Sequence, residues 1–376
     1  MFARSLIQEE QVKVESNMII QDIEVKRFSV PLKKPFKTAL RTAYNLDSIL
    51  VKITCDNGMV GWGEAPATIV ITGDSIESIE AAIVNTMKPQ LIGKSLLAYE
   101  QVFHTLHQSM VGNSSAKAAV DMALYDLIAQ RCNLPLYQLL GGYKNQLETD
   151  YTVSVNSPKE MGEDALEYLK QGFNVLKIKV GKDNIDEDIL RIQEIRKSVG
   201  NQVKIRLDAN QGWDMKEAIR SIRKMEDMGL DIELVEQPVK AHDIEGLRRV
   251  THAVDTPVMA DESVFSPAQA FEILHTRAAD LLNIKLMKSG GIFKAQLINQ
   301  MAEECGVPCM VGCMIESRLS VTAAAHFAAS KKNITRFDFD APLMLLNDVV
   351  DGGVRYDGRL MTLPDLPGLG IRSVNV

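Results

Sequence analysis

Three carboxylate residues each close a short apolar run in the central part of the chain. Asp208, Glu236 and Asp261 are 28 and 25 residues apart, which is about one βα unit each. Successive parallel strands would therefore bring one carboxylate apiece to the same place. Three anions at the mouth of an apolar barrel repel one another unless a cation joins them. An all-oxygen ligand set suits Mg²⁺ better than zinc, so we predict a Mg²⁺ site here.

Lysines end two further apolar strands that flank this trio. Lys177 and Lys179 share one face of their strand by its period of two, and Lys285 ends a later strand. A lysine inside a barrel is costly unless it is paired, which argues that these positions serve a function. The acids would come from the third, fourth and fifth strands and the lysines from the second and sixth. The amines should therefore face each other across the metal.

Such an arrangement suits the inversion of a carbon centre that carries an acidic proton. One amine would remove the proton from one face of a substrate α-carbon, and the other would return it on the opposite face. We assign these roles to Lys179 and Lys285, while the charge of Lys177 favours the neutral form of Lys179. The metal would stabilise the enolate. The residues thus predict a two-base 1,1-proton transfer.

A repeated pattern from residue 149 onward supplies the elements that carry these residues. Short runs rich in Val, Ile and Leu alternate with amphipathic helices, and Ser157, Pro158 and Glu160 form one helix start signal. Eight such units predict an α/β fold, a (β/α)8 barrel over residues 147–344. The predicted strands are 150–155, 175–180, 203–208, 232–236, 257–261, 281–285, 308–313 and 334–339.

The first part of the chain predicts an α+β domain over residues 18–146. Asp56-Asn57-Gly58 lies between two β-rich runs, and Asn-Gly in that position is a strong hairpin signal. Residues 1–17 predict a disordered extension. The Gly- and Pro-rich residues 345–376 fall outside the barrel repeat. Helical patterns are predicted at about 75–88, 99–109 and 115–131.

Composition and charge exclude several classes of protein. The 42 Lys and Arg residues against 49 Asp and Glu residues give a net charge of −7, so we expect no nucleic-acid partner. No window reaches the ~18 apolar residues of a membrane span, so we expect no membrane partner. The 5 cysteines are few and odd in number, and no signal-peptide run begins the chain. This predicts a cytoplasmic protein and leaves its oligomeric state open, a homo-oligomer included.

The motifs together resemble a known family. The Lys177-Ile178-Lys179 run, the three acids and Lys285 within N-I-K-L-M-K-S-G-G resemble the muconate lactonising subgroup of the enolase superfamily, from about residue 18 to the end. The resemblance implies a (β/α)8 barrel with an α+β capping domain built from both termini. Residues 345–376 would then return to the cap. It also implies Mg²⁺ and lysine bases, as the residues predict independently.

The end of the eighth strand narrows the expected substrate. Asp338 and Asp340 lie on one face, and two more carboxylates beside three metal ligands need another cation, which the ammonium of a dipeptide would supply. This D-x-D resembles the signature of dipeptide epimerases. In the cap loop 34–41, Arg41 could clamp a side-chain carboxylate through its planar fork. The resemblance is greatest to epimerases of L-Ala-D/L-Glu, so we expect a small-molecule dipeptide substrate.

Two other functions remain open at this point. The two-lysine arrangement fixes the half-reaction and not the substrate, so an N-acylamino acid racemase or an o-succinylbenzoate synthase is an alternative. A free substrate ammonium would separate them from a dipeptide epimerase. A third possibility is a non-catalytic barrel that binds metal and ligand, although binding alone needs no base. The absence of GxGxxG and GxxxxGK[ST] disfavours a nucleotide-dependent enzyme.

Overall fold

The computed structural model describes residues 18–376, and the extension predicted over residues 1–17 lies outside the described residues. The chain begins with an antiparallel sheet in the order β1-β2-β3. The predicted hairpin is confirmed, because Thr54 pairs with Val60 across the turn and Gly58 takes a positive φ of 82° there. The strands are β1 (Ile20–Lys37), β2 (Thr42–Cys55) and β3 (Val60–Pro66).

A group of helices covers this sheet, close to where the sequence predicts them. The approach of α4 to β3 is so close that a Cβ at Gly63 would lie 1.9 Å from the carbonyl oxygen of Ala119. The helices are α1 (Ile76–Ala81), a π-helical stretch (Ala82–Met87), α2 (Lys88–Leu91), a 3₁₀ turn (Leu96–Ala98), α3 (Tyr99–Gln108), α4 (Ser114–Arg131) and α5 (Leu136–Leu139).

Eight parallel strands form the second part of the structure, and all eight correspond to predicted runs. The first and last strands meet where the Asp150 N–H donates to the Phe337 carbonyl at 3.2 Å, which closes the sheet. The (β/α)8 architecture with an antiparallel capping sheet is therefore confirmed. The strands are β5 (Tyr151–Val153), β6 (Val175–Lys179), β7 (Lys204–Asp208), β8 (Ile232–Glu236), β9 (Val258–Ala260), β10 (Leu281–Ile284), β11 (Cys309–Gly312) and β12 (Ile334–Asp338), with β4 (Gln146–Glu148) ahead of them.

Helices connect the barrel strands, and the first of them begins at the predicted cap, Ser157. Ser157 and Asp214 each form a reciprocal capping box with a glutamate three residues later. No helix within residues 18–376 has the length and apolar character to cross a membrane. The helices are α6 (Pro158–Lys170), α7 (Ile185–Val199), α8 (Met215–Asp227), α9 (Ile244–Ala253), α10 (Pro267–Thr276), α11 (Leu286–Ser289), α12 (Ile292–Glu304), α13 (Arg318–Ala329) and α14 (Ala341–Met344).

The C-terminal segment contacts both parts of the structure. Asp126 on α4 accepts the backbone N–H groups of Trp62 at 3.1 Å and Leu369 at 2.9 Å, so one buried carboxylate joins the capping sheet to the C-terminal segment. The boundaries predicted at residues 146/147 and 344/345 remain a prediction. The segment contains β13 (Val350–Gly352), β14 (Arg355–Asp357), β15 (Leu360–Thr362) and β16 (Ile371–Val374), and β15 pairs with β4.

Two buried acids of the N-terminal capping region bind the N-termini of barrel helices. Asp121 accepts the N–H groups that begin α12, from Ile292 at 2.6 Å and Phe293 at 3.2 Å. Glu64 accepts the N–H groups of Ser317 and Ser320 at the start of α13. A carboxylate at a helix N-terminus pairs with orphan donors and with the helix dipole. These contacts fix the capping domain over the barrel mouth.

Candidate active site

The structure brings the three predicted metal-binding acids and the three predicted lysines together at the barrel mouth. Neighbouring strands set them side by side, because Asp208 lies in register with Lys179 on one strand and with Glu236 on the other. All six side chains are buried: Lys177, Lys179, Asp208, Glu236, Asp261 and Lys285. Their convergence follows from the parallel strand order, since all but Lys177 lie at or next to the carboxyl end of their strands, and Lys177 lies two residues before the end of β6 on the same face as Lys179.

Lys177 occupies the centre of this cluster. Its Nζ lies 2.7 Å from Glu236 Oε2, 2.8 Å from Asp338 Oδ2 and 3.1 Å from Asp208 Oδ2. Burial alone would lower the pKa of Lys177, but these carboxylates outweigh burial and hold it well above its usual range. Lys177 is therefore a fixed positive charge among the acids.

Lys179 and Lys285 approach the cavity from opposite sides of the barrel. Lys179 donates to Asp208 Oδ2 at 2.6 Å and to Asn210 Oδ1 at 3.0 Å. Lys285 donates to Asp261 Oδ2 at 2.8 Å. Their strands, β6 and β10, are four places apart in a ring of eight, so the two amines face each other across the mouth. Burial opposes the charge of Lys285, but Asp261 raises its pKa.

The pKa values of the three predicted metal ligands are shifted in different directions. Burial would raise the pKa of Asp208, but Lys179 and Lys177 lower it to about 2. Burial and the neighbouring Asp208 raise the pKa of Glu236 to about 8. Burial also disfavours the charge of Asp261, which Lys285 and Lys288 nevertheless hold well below its usual pKa. Carboxylates this close together need a cation between them.

An all-oxygen metal ion site is compatible with this cluster. Across residues 18–376, no three acid, histidine or cysteine side chains are spaced to hold an ion as they stand, and at the mouth lysine ammonium groups lie between the carboxylates. Glu236 Oε2 is buried, and its ion pair with Lys177 is the contact that the structure gives it within residues 18–376. Hard carboxylate donors of this kind fit Mg²⁺. Asp208, Glu236 and Asp261 as its ligands remain a prediction.

Asp338 and Asp340 lie at the same mouth but differ in their pairing. Asp338 is the last residue of β12 and pairs with Lys177. Asp340 accepts the Thr152 N–H at 2.6 Å and has no ion-pair partner in the described chain. Burial and the charge of Asp338 raise the pKa of Asp340 to about 7. Asp338 thus has a cationic partner and Asp340 has none within residues 18–376, and their joint binding of a substrate ammonium remains a prediction.

Arg41 faces the same cavity from the capping domain. A tight turn places it there, in which Thr38 Oγ1 accepts the N–H groups of Leu40 and Arg41. Burial lowers the pKa of Arg41, and its guanidinium has no carboxylate partner within residues 18–376. An unpaired, largely desolvated guanidinium is suited to binding a carboxylate.

The cavity itself is small and enclosed by both parts of the structure. Its volume is about 50 Å³, and its lining includes Val70 and Ile71 of a cap loop and Met314 and Ile315 after β11. A cleft of about 920 Å³ lies beside it, between residues 33–37 and α6, but contains none of the predicted site residues. We place the chemistry in the small cavity, because the charged groups converge there.

Sequence reasoning missed four buried polar residues of this site. Asn210 bonds Lys179, Asn283 bonds Glu236 and Lys288 pairs with Asp261. Glu262 accepts from Asn210. Asn283 was detectable, because it lies two residues before Lys285 and so shares its strand face. Lys288 gave no such signal, because a short helix carries it back to the site.

Comparison with known proteins identifies the family. The model of the mandelate racemase and muconate lactonizing enzyme N-terminal domain matches residues 22–141, and the enolase C-terminal domain-like model matches residues 160–374. The chain belongs to this family of the enolase superfamily, so the resemblance seen in the motifs is confirmed.

Several relatives match over nearly their whole length. The chain is 67% identical to an L-Ala-D/L-Glu epimerase of Bacillus subtilis, covering 94% of this chain and 97% of the relative. A substrate-liganded structure of the B. subtilis epimerase superposes with a TM-score of 0.95 at 66% identity, covering 96% and 100% of the two chains. A dipeptide epimerase of Enterococcus faecalis complexed with Mg and L-Leu-L-Tyr has a TM-score of 0.92 at 44% identity, covering 95% and 100%.

The same comparison includes a racemase. An N-succinyl-L-Arg/Lys racemase of Bacillus cereus is 36% identical, covering 94% of this chain and 95% of the relative. The family therefore contains enzymes for both free and acylated amino groups.

The position of Lys177 predicts a stability effect that can be measured without metal. Lys177→Met leaves three buried carboxylates without their shared cation, so the free energy of unfolding should fall by about 3–5 kcal/mol in urea titrations with a chelator present. Adding Asp338→Asn to Lys177→Met should recover part of the loss, because one of the repelling charges is removed. A Lys177→Met protein as stable as the parent would contradict the central role of this ammonium.

Proposed function

We propose that this protein is a Mg²⁺-dependent dipeptide epimerase that interconverts L-Ala-D-Glu and L-Ala-L-Glu at the C-terminal residue. The observation that carries the proposal is the pair of buried lysine amines on opposite sides of one cavity at the barrel mouth. The identity to the B. subtilis epimerase supports the dipeptide. The Mg in the E. faecalis complex supports the metal.

The two amines perform the proton transfer in this proposal. Lys179 accepts the α-proton from one face, and Lys285 donates a proton to the other face, or the reverse for the opposite enantiomer. Bound Mg²⁺ supplies Lewis-acid stabilisation of the charge that develops on the substrate carboxylate. Lys177 keeps the acids of the site paired while the substrate binds. Both amines are buried, which limits their contact with bulk water.

The ammonium and the side-chain carboxylate of the substrate bind charged groups that have no ion-pair partner within residues 18–376. The dipeptide ammonium binds Asp340, whose carboxylate has no ion-pair partner in residues 18–376, with Asp338 close by. The glutamate side chain binds Arg41 through the guanidinium fork. Both contacts pair a buried charge that would otherwise be costly.

The alternatives fit these observations less well. An N-acylamino acid racemase or o-succinylbenzoate synthase would bring no ammonium to Asp340. A non-catalytic barrel would not need two buried lysines, each of which costs desolvation energy. A cytoplasmic location and a homo-oligomer remain predictions.

Replacing either lysine should abolish α-proton exchange for one enantiomer of the substrate and leave it for the other. With Lys179→Ala, exchange of the α-proton in heavy water should persist for one enantiomer of the glutamate residue and vanish for the other, and Lys285→Ala should show the opposite pattern. Epimerisation should fall roughly 10²- to 10⁴-fold in both, as measured by mass spectrometry and polarimetry. Exposed Lys182→Ala is the control and should keep the parent rate. A normal rate of epimerisation in either site variant would refute the two-base mechanism.

The pairing at Asp340 predicts a preference for a free amino group. Acetylation of the dipeptide removes its cation, so kcat/KM should drop by the equivalent of about 2–5 kcal/mol, or roughly 30-fold or more. Asp340→Asn should reduce the difference in kcat/KM between the free and the acetylated dipeptide. Because the pKa of Asp340 is about 7, its carboxyl is protonated below neutrality, and the preference should grow from pH 5.5 to pH 7.5. A preference for acylated amino acids would instead favour the racemase.

Arg41 predicts the preference for an acidic second residue. Arg41→Met removes the guanidinium, so kcat/KM for L-Ala-L-Glu should fall roughly 10- to 100-fold while a dipeptide with an apolar second residue changes little. Arg27→Met, at an exposed ion pair of the capping domain, is the matched control. If Arg41→Met lowered the rate for all dipeptides alike, the glutamate preference would be wrong and the epimerase would stand.

A further inference from the structure

The three predicted metal ligands share a feature that their ion pairs with the catalytic lysines do not explain. Each has one oxygen held by the surrounding scaffold and the other directed at a lysine of the cavity. For Asp208, the Asn210 N–H donates to Oδ1 at 3.0 Å, whereas Oδ2 lies 2.6 Å from Lys179 Nζ. A backbone N–H of the loop after β7 therefore occupies one of the two oxygens of the Asp208 carboxylate.

A side chain of the sixth strand does the same for Glu236. Asn283 Nδ2 donates to Glu236 Oε1 at 2.6 Å, and Oε2 faces Lys177 Nζ at 2.7 Å. Asn283 is fully buried in β10, where strand pairing on both sides limits its movement. The amide is thus a fixed donor to one carboxylate oxygen.

The third carboxylate is held by a lysine outside the cavity. Lys288 Nζ forms an ion pair with Asp261 Oδ1 at 2.5 Å, and its hydrogen bonds go to the Asn283 carbonyl at 2.9 Å and to the Asp261 carbonyl. Asp261 Oδ2 instead faces Lys285 at 2.8 Å. Lys288 is 2% exposed and does not line the cavity, so its ammonium is not available to a substrate.

The helix that carries Lys288 is itself tightly anchored. It ends at Gly290 and Gly291, both with positive φ. A Cβ at Gly291 would lie 2.2 Å from Asp121 Cγ, so only glycine allows this contact with α4. Lys288 is therefore fixed from both the barrel and the capping domain.

We propose that Asn283 and Lys288 are positioning residues that make the metal site select Mg²⁺ over Ca²⁺. With one oxygen of each carboxylate already occupied, each acid offers a metal a single oxygen. Mg²⁺ takes six ligands in a compact octahedron, whereas Ca²⁺ takes six to eight and commonly binds carboxylates through both oxygens. The scaffold thus denies Ca²⁺ the bidentate contacts that it favours. The inference rests on the proposed function, because it assumes that these acids bind the metal.

The test compares two divalent cations in one protein. Kd values for Mg²⁺ and Ca²⁺ are measured by calorimetry on the chelator-stripped full chain, and the ratio of Ca²⁺ Kd to Mg²⁺ Kd is the readout. Because both ions carry the same charge, loss of a lysine charge affects both and largely cancels in the ratio. Lys288→Met and Asn283→Ala each free one carboxylate oxygen. Each should lower the ratio roughly 10-fold, the lower end of outer-shell effects on metal affinity.

A matched control separates oxygen positioning from general loosening. Lys117 is also buried; its ammonium donates to the carbonyls of His107 and Met110 and forms no ion pair with a carboxylate within residues 18–376. It packs beside Gly290, so Lys117→Met would disturb the same helix end. The ratio should stay within about twofold of the parent in this variant. An equal drop in Lys117→Met would overturn the inference, because loosening of α11 would then set the ratio.

The remaining outcomes distinguish the inference from the proposed function. An unchanged ratio in Lys288→Met and Asn283→Ala, with Mg²⁺ still bound, would overturn the inference and leave the epimerase intact. If the parent chain binds no Mg²⁺, the metal site of the proposed function is wrong. If Lys288→Met does not fold, Asn283→Ala decides the question alone, because it removes one uncharged donor and keeps the ammonium.

Discussion

The pairing of buried charge at the barrel mouth is the constraint on which the rest of the structure depends. Lys177 holds together acids from three different strands, and its contacts lie at 2.7–3.1 Å. In a site of low dielectric, neither the ammonium nor the carboxylates could remain charged alone. The parallel barrel meets this need, because it brings the carboxyl ends of all its strands to one place. The same arrangement produces both the stability of the mouth and a set of groups that can move a proton.

The capping domain depends on buried carboxylates in a different way. Glu64, Asp121 and Asp126 accept backbone N–H groups of α13, α12 and the C-terminal segment, so they satisfy donors that would otherwise be orphaned. This fixes the cap loops that carry Arg41 and Ile71 over the cavity. The position of the cap over the cavity thus depends on backbone groups that these buried carboxylates pair.

The sequence predicts what depends on local pattern and misses what depends on side-chain pairing. The barrel strands and the positions of Asp208 and Glu236 were predictable, because an apolar run and the residue that ends it are neighbours in the chain. The pairing of Asp338 with Lys177 was not, since it joins residues 161 apart and depends on the stagger of strands around the ring. Lys288 was missed for a different reason, because it lies on the short helix after β10 and not on a barrel strand. The domain limits remain untested.

The residues proposed to transfer the proton and those proposed to select the substrate lie on different elements of the structure. Lys179 and Lys285 stand at strand ends and are braced by acids of the same ring. Arg41 stands on a cap turn, which can change without moving a lysine. Between them, Asp338 is tied to Lys177 and so belongs to the charge balance of the mouth. Asp340 is held by Thr152 and has no ion-pair partner within residues 18–376, so its substitution would disturb the charge balance of the mouth less than substitution of Asp338.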